Sequence, residues 1–317
     1  MADIRNLSLV ALCGGVGGAR LVNAIDKLLP AANLVAVVNV GDDEPRYGVH
    51  VAADLDTVVY TLAGIAGPHG WGIDGDTTTV MDTLSRLGVD TTFHLGDRDF
   101  AHCLWRSNQL ATGAALSSVT SKLASTLGVR PTVLPASDDV LSTWVQIDGI
   151  TWISFQEYFV DRHHRDRVTA LDFRGAADAS PAPGVLDSIS RADAIVIAPS
   201  NPPLSIWPML AMPALRNAVE AHPCVIAISP LFAGAALKGP AANVLESLGV
   251  GSGTSSILAA YEAVIDYLIV DTEDAADVAL SNEGVQVSVC ETHLTPIGEA
   301  TELVEHLSDI VRGNHAD

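Results

Sequence analysis

Leu7-Ser8-Leu9-Val10-Ala11-Leu12-Cys13, followed by Gly14-Gly15-Val16-Gly17-Gly18 and then by Ala19-Arg20-Leu21-Val22-Asn23-Ala24-Ile25-Asp26-Lys27-Leu28-Leu29, is the stretch that decides the fold. An unbroken apolar run suits a strand buried on both faces of a parallel sheet, and the apolar spacing from Leu21 onward suits a helix packed on that sheet. The glycines between them let the backbone turn sharply, and the helix N-terminus beyond carries a partial positive charge. The guest expected at Gly14, Gly15, Val16, Gly17 and Gly18 is a phosphate; a tight turn with no ligand is the alternative. The spacing is neither a clean G-x-G-x-x-G nor a Walker A loop, since no Lys-Ser or Lys-Thr follows.

Working outward, Leu34 to Val38 reads as a second buried strand, which makes a βαβ start with its ligand edge at the strand C-termini. Ala194 to Ala198 and Cys224 to Ile228 read as further buried strands, with two more near Tyr267 to Val270 and Val285 to Val289. Val129 to Leu134 reads as a strand too, and helices are expected over Ala101 to Leu110, Ser117 to Leu127, Met209 to Ala221 and Glu299 to Arg312. Gly239-Pro240-Ala241 opens another. Thr143 to Ile153 alternates around Asp148-Gly149, a hairpin turn signal, and Phe155 to Val160 continues it. The expected fold is α/β: a Rossmann-like, mostly parallel sheet with helices on both faces. It forms one unit over residues 1–317, with a helical and β-hairpin cap inserted at about 70–184.

The bulk properties narrow the function classes. Across 317 residues, 48% are hydrophobic, which suits a folded core, and 17 basic against 38 acidic residues leave a net charge of −21. Such a field repels a nucleic-acid backbone, so nucleic-acid binding is not expected. Cys13, Cys103, Cys224 and Cys290 lie far apart, which suggests neither a zinc ribbon nor a disulfide framework and is consistent with a reduced, cytoplasmic protein. No signal peptide and no long apolar run is visible, so no membrane association is expected.

Four carboxylates gather near the end of the second strand: Asp42, Asp43, Asp54 and Asp56. One of Asp54 and Asp56 is a candidate helix cap. Capping does not account for all four, because gathered like charges are costly unless a cation sits among them. An oxygen-ligated hard cation, Mg²⁺ in particular, is the natural counterion. Further along, Asp97-Arg98-Asp99 is either a salt-bridge knot or a phosphate clamp. Asp76 or Thr77 is a candidate cap for the helix through Val80 and Leu84. Pro199-Ser200-Asn201-Pro202-Pro203 stops a buried strand where an α/β sheet binds ligands, or simply turns before a helix. The aromatics from Phe155 to Phe159 line a flat-ring pocket or pack a core. His163 and His164, as extended neighbours, point to opposite faces and suit a solvated or phosphate-facing surface.

Taken in order, Gly14-Gly15-Val16-Gly17-Gly18-Ala19-Arg20-Leu21, Val38-Asn39-Val40-Gly41-Asp42-Asp43, Asp54-Leu55-Asp56-Thr57-Val58, Gly70-Trp71-Gly72-Ile73, Leu95-Gly96-Asp97-Arg98-Asp99, Phe155-Gln156-Glu157-Tyr158, Pro199-Ser200-Asn201-Pro202 and Ser229-Pro230-Leu231 resemble the 2-phospho-L-lactate transferases of coenzyme F420 biosynthesis. The resemblance spans nearly the whole chain. It implies Mg²⁺-dependent transfer of a phosphoryl-linked three-carbon acid from a guanosine diphosphate adduct to the ribityl hydroxyl of the deazaflavin Fo, with GMP leaving. The acid is phospholactyl, phosphoenolpyruvyl or phosphoglyceryl. It also implies that the glycine loop with Ser200 and Asn201 serves the nucleotide, that Asp56, His94, Asp97 and Arg98 serve Fo, and that the protein is a homodimer. Asp42, Asp43, Asp54 and Asp56 form the expected metal set, with Asp56 and Asp43 as the expected catalytic pair. The competing expectation is a nucleotide-sugar-binding regulator of related fold that turns nothing over. An NAD-dependent oxidoreductase is disfavoured, because no acidic residue closes the second strand after a G-x-G-x-x-G.

Overall fold

The computed structural model describes residues 7–29, 34–236, 240–281, 284–294 and 300–314. Strand β1 (Leu9–Cys13) leads through α1 (Gly15–Leu28) to β2 (Leu34–Val38). A short hairpin, β3 (Glu44–Arg46) and β4 (Val49–Val51), precedes α2 (Ala53–Leu62), α3 (Thr79–Arg86), α4 (Asp97–Ala111) and α5 (Leu116–Thr126). Then come β5 (Thr132–Pro135), β6 (Ser142–Ile147), β7 (Thr151–Ser154), β8 (Val168–Arg174), α6 (Val185–Arg191) and β9 (Ala194–Ile197). The last third holds α7 (Trp207–Leu210), α8 (Pro213–Glu220), β10 (Val225–Ile228), β11 (Leu231–Phe232), β12 (Ala235–Ala236), α9 (Ala241–Ser247), α10 (Gly253–Ala260), β13 (Tyr267–Val270), β14 (Gln286–Val289) and α11 (Thr301–Asn314).

Seven strands form one sheet in the order β14-β13-β10-β9-β1-β2-β5, and every pairing in it is parallel. Successive side chains of a strand point to opposite faces, yet every residue of β1, β9 and β10 is buried. Both faces of the sheet centre are therefore covered, as the unbroken apolar runs require. Each fully buried Leu or Ile there contributes about 1.5–3 kcal/mol relative to an exposed one. In the centre Leu12 lies opposite Val37 on one side and Ile197 on the other. The chain leaves β1 toward β2 and later returns to the far side of β1 as β9, so the strand order reverses there. A crevice opens at such a reversal, beyond the strand C-termini.

A second, antiparallel sheet runs β7-β6-β8. Its hairpin turns at Asp148 and Gly149, both with positive φ (56° and 73°), as the sequence signal predicts. Val145, Ile147, Ile153 and Val168 pack under it with Phe155, Tyr158, Leu204 and Val244. A third apolar cluster joins Val49 and Val51 to Met81, Phe93, Leu95 and Cys103. Within residues 70–184, α3, α4 and the small sheet lie outside the large sheet, whereas β5 is its edge strand.

Two expectations are corrected. The helix expected from Met209 to Ala221 is broken into α7 and α8, because Pro213 supplies no N–H and starts a new helix. Phe155 to Val160 does not extend the hairpin; Glu157–Asp161 is a π-helical turn. The final strand and helix start within a residue or two of expectation, and Gly239 and Glu299 lie outside the described residues. Among the described residues no helix is long and apolar enough to cross a membrane.

Candidate functional site

The glycine turn sits at the reversal point. Gly15 has φ of +62°, and a Cβ on Gly17 would lie 2.4 Å from the Pro199 carbonyl oxygen, a backbone atom that cannot step aside. The turn therefore presses directly on the loop after β9. Ser200 Oγ joins the two, accepting from Gly14 N–H (3.1 Å) and donating to the Gly14 carbonyl (2.8 Å). Asn201 Oδ1 accepts from Leu204 N–H at 3.3 Å. Gly15 N–H donates to Asp54 Oδ1 at 2.6 Å. Two of the amides expected to face a phosphate are thus occupied by side chains. The next amides of the first helical turn, Val16 and Gly17, have no intrahelical acceptor and are those a phosphate would meet.

Asp54 does more than sit near a helix start. The helix-cap expectation for Asp54 or Asp56 is not met: α2 begins after Ala52 with no side-chain cap. Instead Asn39 Nδ2, at the end of β2, donates to Asp54 Oδ2 (3.0 Å) and to Asp42 Oδ1 (3.1 Å). Gln156 donates to the Asp42 carbonyl at 3.0 Å and ties the small sheet's connection to the same point.

The four carboxylates divide into two pairs. Asp56 forms an ion pair with the guanidinium of Arg106, which is 2% exposed and also donates to the His50 carbonyl. Asp43 faces His50 Nε2 at 3.2 Å. Among the described residues Asp42 and Asp54 have no basic partner. Burial raises both carboxyls, Asp42 further through Asp54 and Asp43 beside it, and Asp54 to about 6 despite the Asn39 and Gly15 donors. Burial raises Asp43 as well, with His50 and Arg106 pulling it back.

The expected metal set is not drawn to one point. Among the described residues, the group whose ligand atoms all lie within 4.8 Å is Asp56, Asp99 and Cys103, not any three of Asp42, Asp43, Asp54 and Asp56. The reason is that Arg106 takes Asp56, His50 takes Asp43 and Asn39 sits between the other two. A Mg²⁺ ion, however, is commonly held by one or two carboxylates together with substrate phosphates. Asp42 and Asp54, buried, oxygen-only and without a countercharge, fit that arrangement.

Most of the expected site residues line one cavity of about 750 Å³. Gly14, Gly15, Val16, Gly17, Ser200 and Asn201 line it together with Asp42, Asp54 and Asp56. Tyr60, His69, Trp71, Phe93, Phe155 and Phe159 supply an aromatic lining, and His94 lines the cavity with them. Phe155 and Phe159 stack with centroids 5.3 Å apart; both pack in the small-sheet cluster and both line the cavity.

Asp97 and Arg98 are not in that lining. Asp97 binds Thr77 Oγ1 and the Thr79 and Val80 amides, capping α3, while Asp76 binds the Arg98 and Asp99 amides, capping α4. The two helices cap each other crosswise, so Asp76 caps the later helix and not the one after Thr77. Arg98 turns to the Asp74 carbonyl and to Asp76 rather than to its neighbours Asp97 and Asp99. Asp43 also lies outside the lining.

Tyr60 in the lining, and His102 and Arg106 outside it, carry no sequence signal of their own. Asp99 accepts from Tyr60 Oη at 2.9 Å, and burial beside Asp56 raises its carboxyl to about 7. His102 Nδ1 meets the same hydroxyl at 3.0 Å. Tyr60 reads as an ordinary apolar helix position, and Arg106 as a polar residue on a surface helix.

The family profile described as 2-phospho-L-lactate transferase CofD matches residues 9–298. The chain belongs to the 2-phospho-L-lactate transferase family. It is 34% identical over 300 residues to the 2-phospho-L-lactate transferase of Methanosarcina acetivorans, covering 94% of this chain and 97% of the relative. It is 41% identical over 281 residues to the phosphoenolpyruvate transferase of Kitasatospora aureofaciens, covering 86% and 88%. The fold matches a solved structure of a UPF0052-family protein from Bacillus halodurans with a TM-score of 0.62 at 17% identity, over 96% of this chain and 98% of that one. The 2-phospho-L-lactate transferase family makes this chain an enzyme, a transferase of phosphate-containing groups. Its all-parallel sheet and the site at the strand reversal are the Rossmann-like arrangement expected from the first βαβ unit.

Proposed function

We propose that this chain transfers a phosphoenolpyruvyl group from a guanosine diphosphate adduct to the ribityl hydroxyl of the deazaflavin Fo, releasing GMP, with Mg²⁺ as cofactor in coenzyme F420 biosynthesis. One observation carries the reading. A single cavity joins the glycine turn, two buried carboxylates without a countercharge, and an aromatic lining suited to a planar ring. The guanosine and deazaflavin identities follow the family resemblance. Among the three donors we favour the enolpyruvyl group because the Kitasatospora relative is 41% identical against 34% for the Methanosarcina one.

The Val16 and Gly17 amides and the start of α1 receive the donor's diphosphate. Asp42 and Asp54 would hold Mg²⁺, which when bound supplies countercharge to the phosphates. The acceptor oxygen bonds to the phosphorus carrying the three-carbon acid, and the P–O bond to the GMP phosphate breaks. Asp56 Oδ2 is buried and bonds to no other group among the described residues. It faces the acceptor side of the site, where it aligns the hydroxyl and takes its proton. Arg106 fixes that carboxylate from behind.

Fo binding separates this from a nucleotide-sugar sensor. Added Fo is expected to change its own fluorescence and raise the thermal midpoint of the protein. A UDP-sugar that stabilises the protein while Fo does neither would overturn the reading in favour of the regulator.

A further inference from the structure

The exposed aromatic at the mouth of the cavity stands on a loop that touches the glycine turn. Trp71 is 53% exposed, yet it lines the cavity and lies face to face with His69, centroids 5.9 Å apart and planes 27° from parallel. Its loop is closed at the base by an antiparallel bridge between Ala66 and Ile73 and by a bond from Asp74 N–H to the Ile65 carbonyl at 2.8 Å. Inside it, Gly67 N–H donates to the Gly72 carbonyl (3.0 Å) and Gly70 N–H to the Gly67 carbonyl (2.9 Å). Gly70 and Gly72 both have positive φ, 92° and 64°. The tip therefore has one defined shape rather than a floppy one.

The tip also has a defined seat. A Cβ on Gly70 would lie 2.5 Å from Val16 Cγ1 and 3.1 Å from Cγ2, so the Gly70 backbone rests on the Val16 side chain. Val16 is the residue whose own amide is free at the start of α1. A diphosphate bound at that amide would lie at the turn on which the loop sits.

We propose that the Gly67–Gly72 loop is a flap whose Trp71 stacks on the planar ring system of the acceptor, and that its seat on Val16 makes acceptor affinity rise when a nucleoside diphosphate holds the glycine turn. An exposed indole that lines a cavity is a preformed stacking face, and its two side-chain torsions leave little to order on binding. The two substrates then bind with positive coupling, and by linkage each tightens the other by the same factor. The assignment rests on the acceptor being Fo, as proposed above.

The test is equilibrium binding of Fo, followed by its fluorescence, with and without GDP in the presence of Mg²⁺, on the wild type, Trp71→Phe, Trp71→Ala and Gly70→Ala. Stacking of one planar heterocycle on an aromatic side chain predicts that Trp71→Ala weakens Fo binding by roughly tenfold. Trp71→Phe recovers most of it, and GDP binding by Trp71→Ala stays at the wild-type level, which also shows that the variant is folded. GDP tightens Fo binding to the wild type, and in Gly70→Ala, where the added methyl lifts the flap off Val16, that tightening falls below about twofold. Wild-type Fo affinity in Trp71→Ala, no tightening by GDP in the wild type, or full tightening in Gly70→Ala would each overturn the flap. A wild type that binds no Fo at all would overturn the acceptor assignment itself.

Discussion

Asp42→Asn should lower single-turnover transfer at saturating Mg²⁺ by roughly a thousandfold, equivalent to about 4 kcal/mol of transition-state stabilisation, while leaving the fold intact. The amide retains an oxygen that can accept from Asn39, so the local hydrogen bond survives. What it loses is one of the two carboxylates that lack a protein countercharge. Thermal stability supplies an independent readout. Asp54 and Asp99 have carboxyl pKa values raised to about 6 and about 7, above the ordinary value near 3.9. Their protonated forms favour the folded state, so that contribution is fully present below the ordinary value and is lost as pH rises through 6 to 7. Without a cation, then, the wild type should lose stability between about pH 4 and pH 7. Mg²⁺ should restore it more at pH 8 than at pH 5, since protons and the metal compete for the same oxygens. In Asp42→Asn the Mg²⁺-induced rise in melting temperature should largely vanish. Near wild-type transfer by this variant would remove Asp42 from the site.

Arg106→Met should destabilise the protein by about 3–5 kcal/mol, because it leaves Asp56 buried with its charge uncompensated. For a chain of this size that is a drop in melting temperature of roughly 5–8 °C. The side chain is almost fully buried, so solvent does not screen the loss. Pairing the change with Asp56→Asn removes the orphaned charge, so the double variant should be more stable than Arg106→Met alone. The coupling between the two positions, read from the full cycle of variants, should exceed 1 kcal/mol, as expected for contacting partners in one network. A melting temperature within about 2 °C of wild type for Arg106→Met would show that the pair contributes little.

The parts of this molecule legible in its sequence are those set by local periodicity. Unbroken apolar runs announced the central strands because a strand covered on both faces has no polar side to show. Asp148-Gly149 announced its hairpin because few residue pairs adopt positive φ twice in succession. The site was legible only as a list of carboxylates and glycines, and the way they divide was not. Arg106 stands between Trp105 and Ser107 on a helix, and nothing local marks it as the partner of a carboxylate fifty positions earlier. Asn39 likewise looks like the end of a strand, yet it holds Asp42 and Asp54 in place. The β3–β4 hairpin went unread because its three-residue strands are too short for a period to show. Asp97 and Asp76 illustrate the same limit: each caps a helix that only the tertiary fold brings alongside. Pro213 is the opposite case, a local signal that apolar periodicity across Met209 to Ala221 masked.

The central claim is that the glycine turn, the Asp42–Asp54 pair and the aromatic lining serve one transfer reaction. Its most direct test is mass spectrometry of the products formed from Fo and each guanosine-linked donor (enolpyruvyl, lactyl and glyceryl) with and without Mg²⁺. The expected result is Fo carrying a phosphoenolpyruvyl group, matched one for one by GMP, formed fastest from the enolpyruvyl donor and abolished when Mg²⁺ is chelated. Faster product formation from the lactyl or glyceryl donor would contradict the donor assignment, and no GMP or modified Fo from any of the three would contradict the account as a whole.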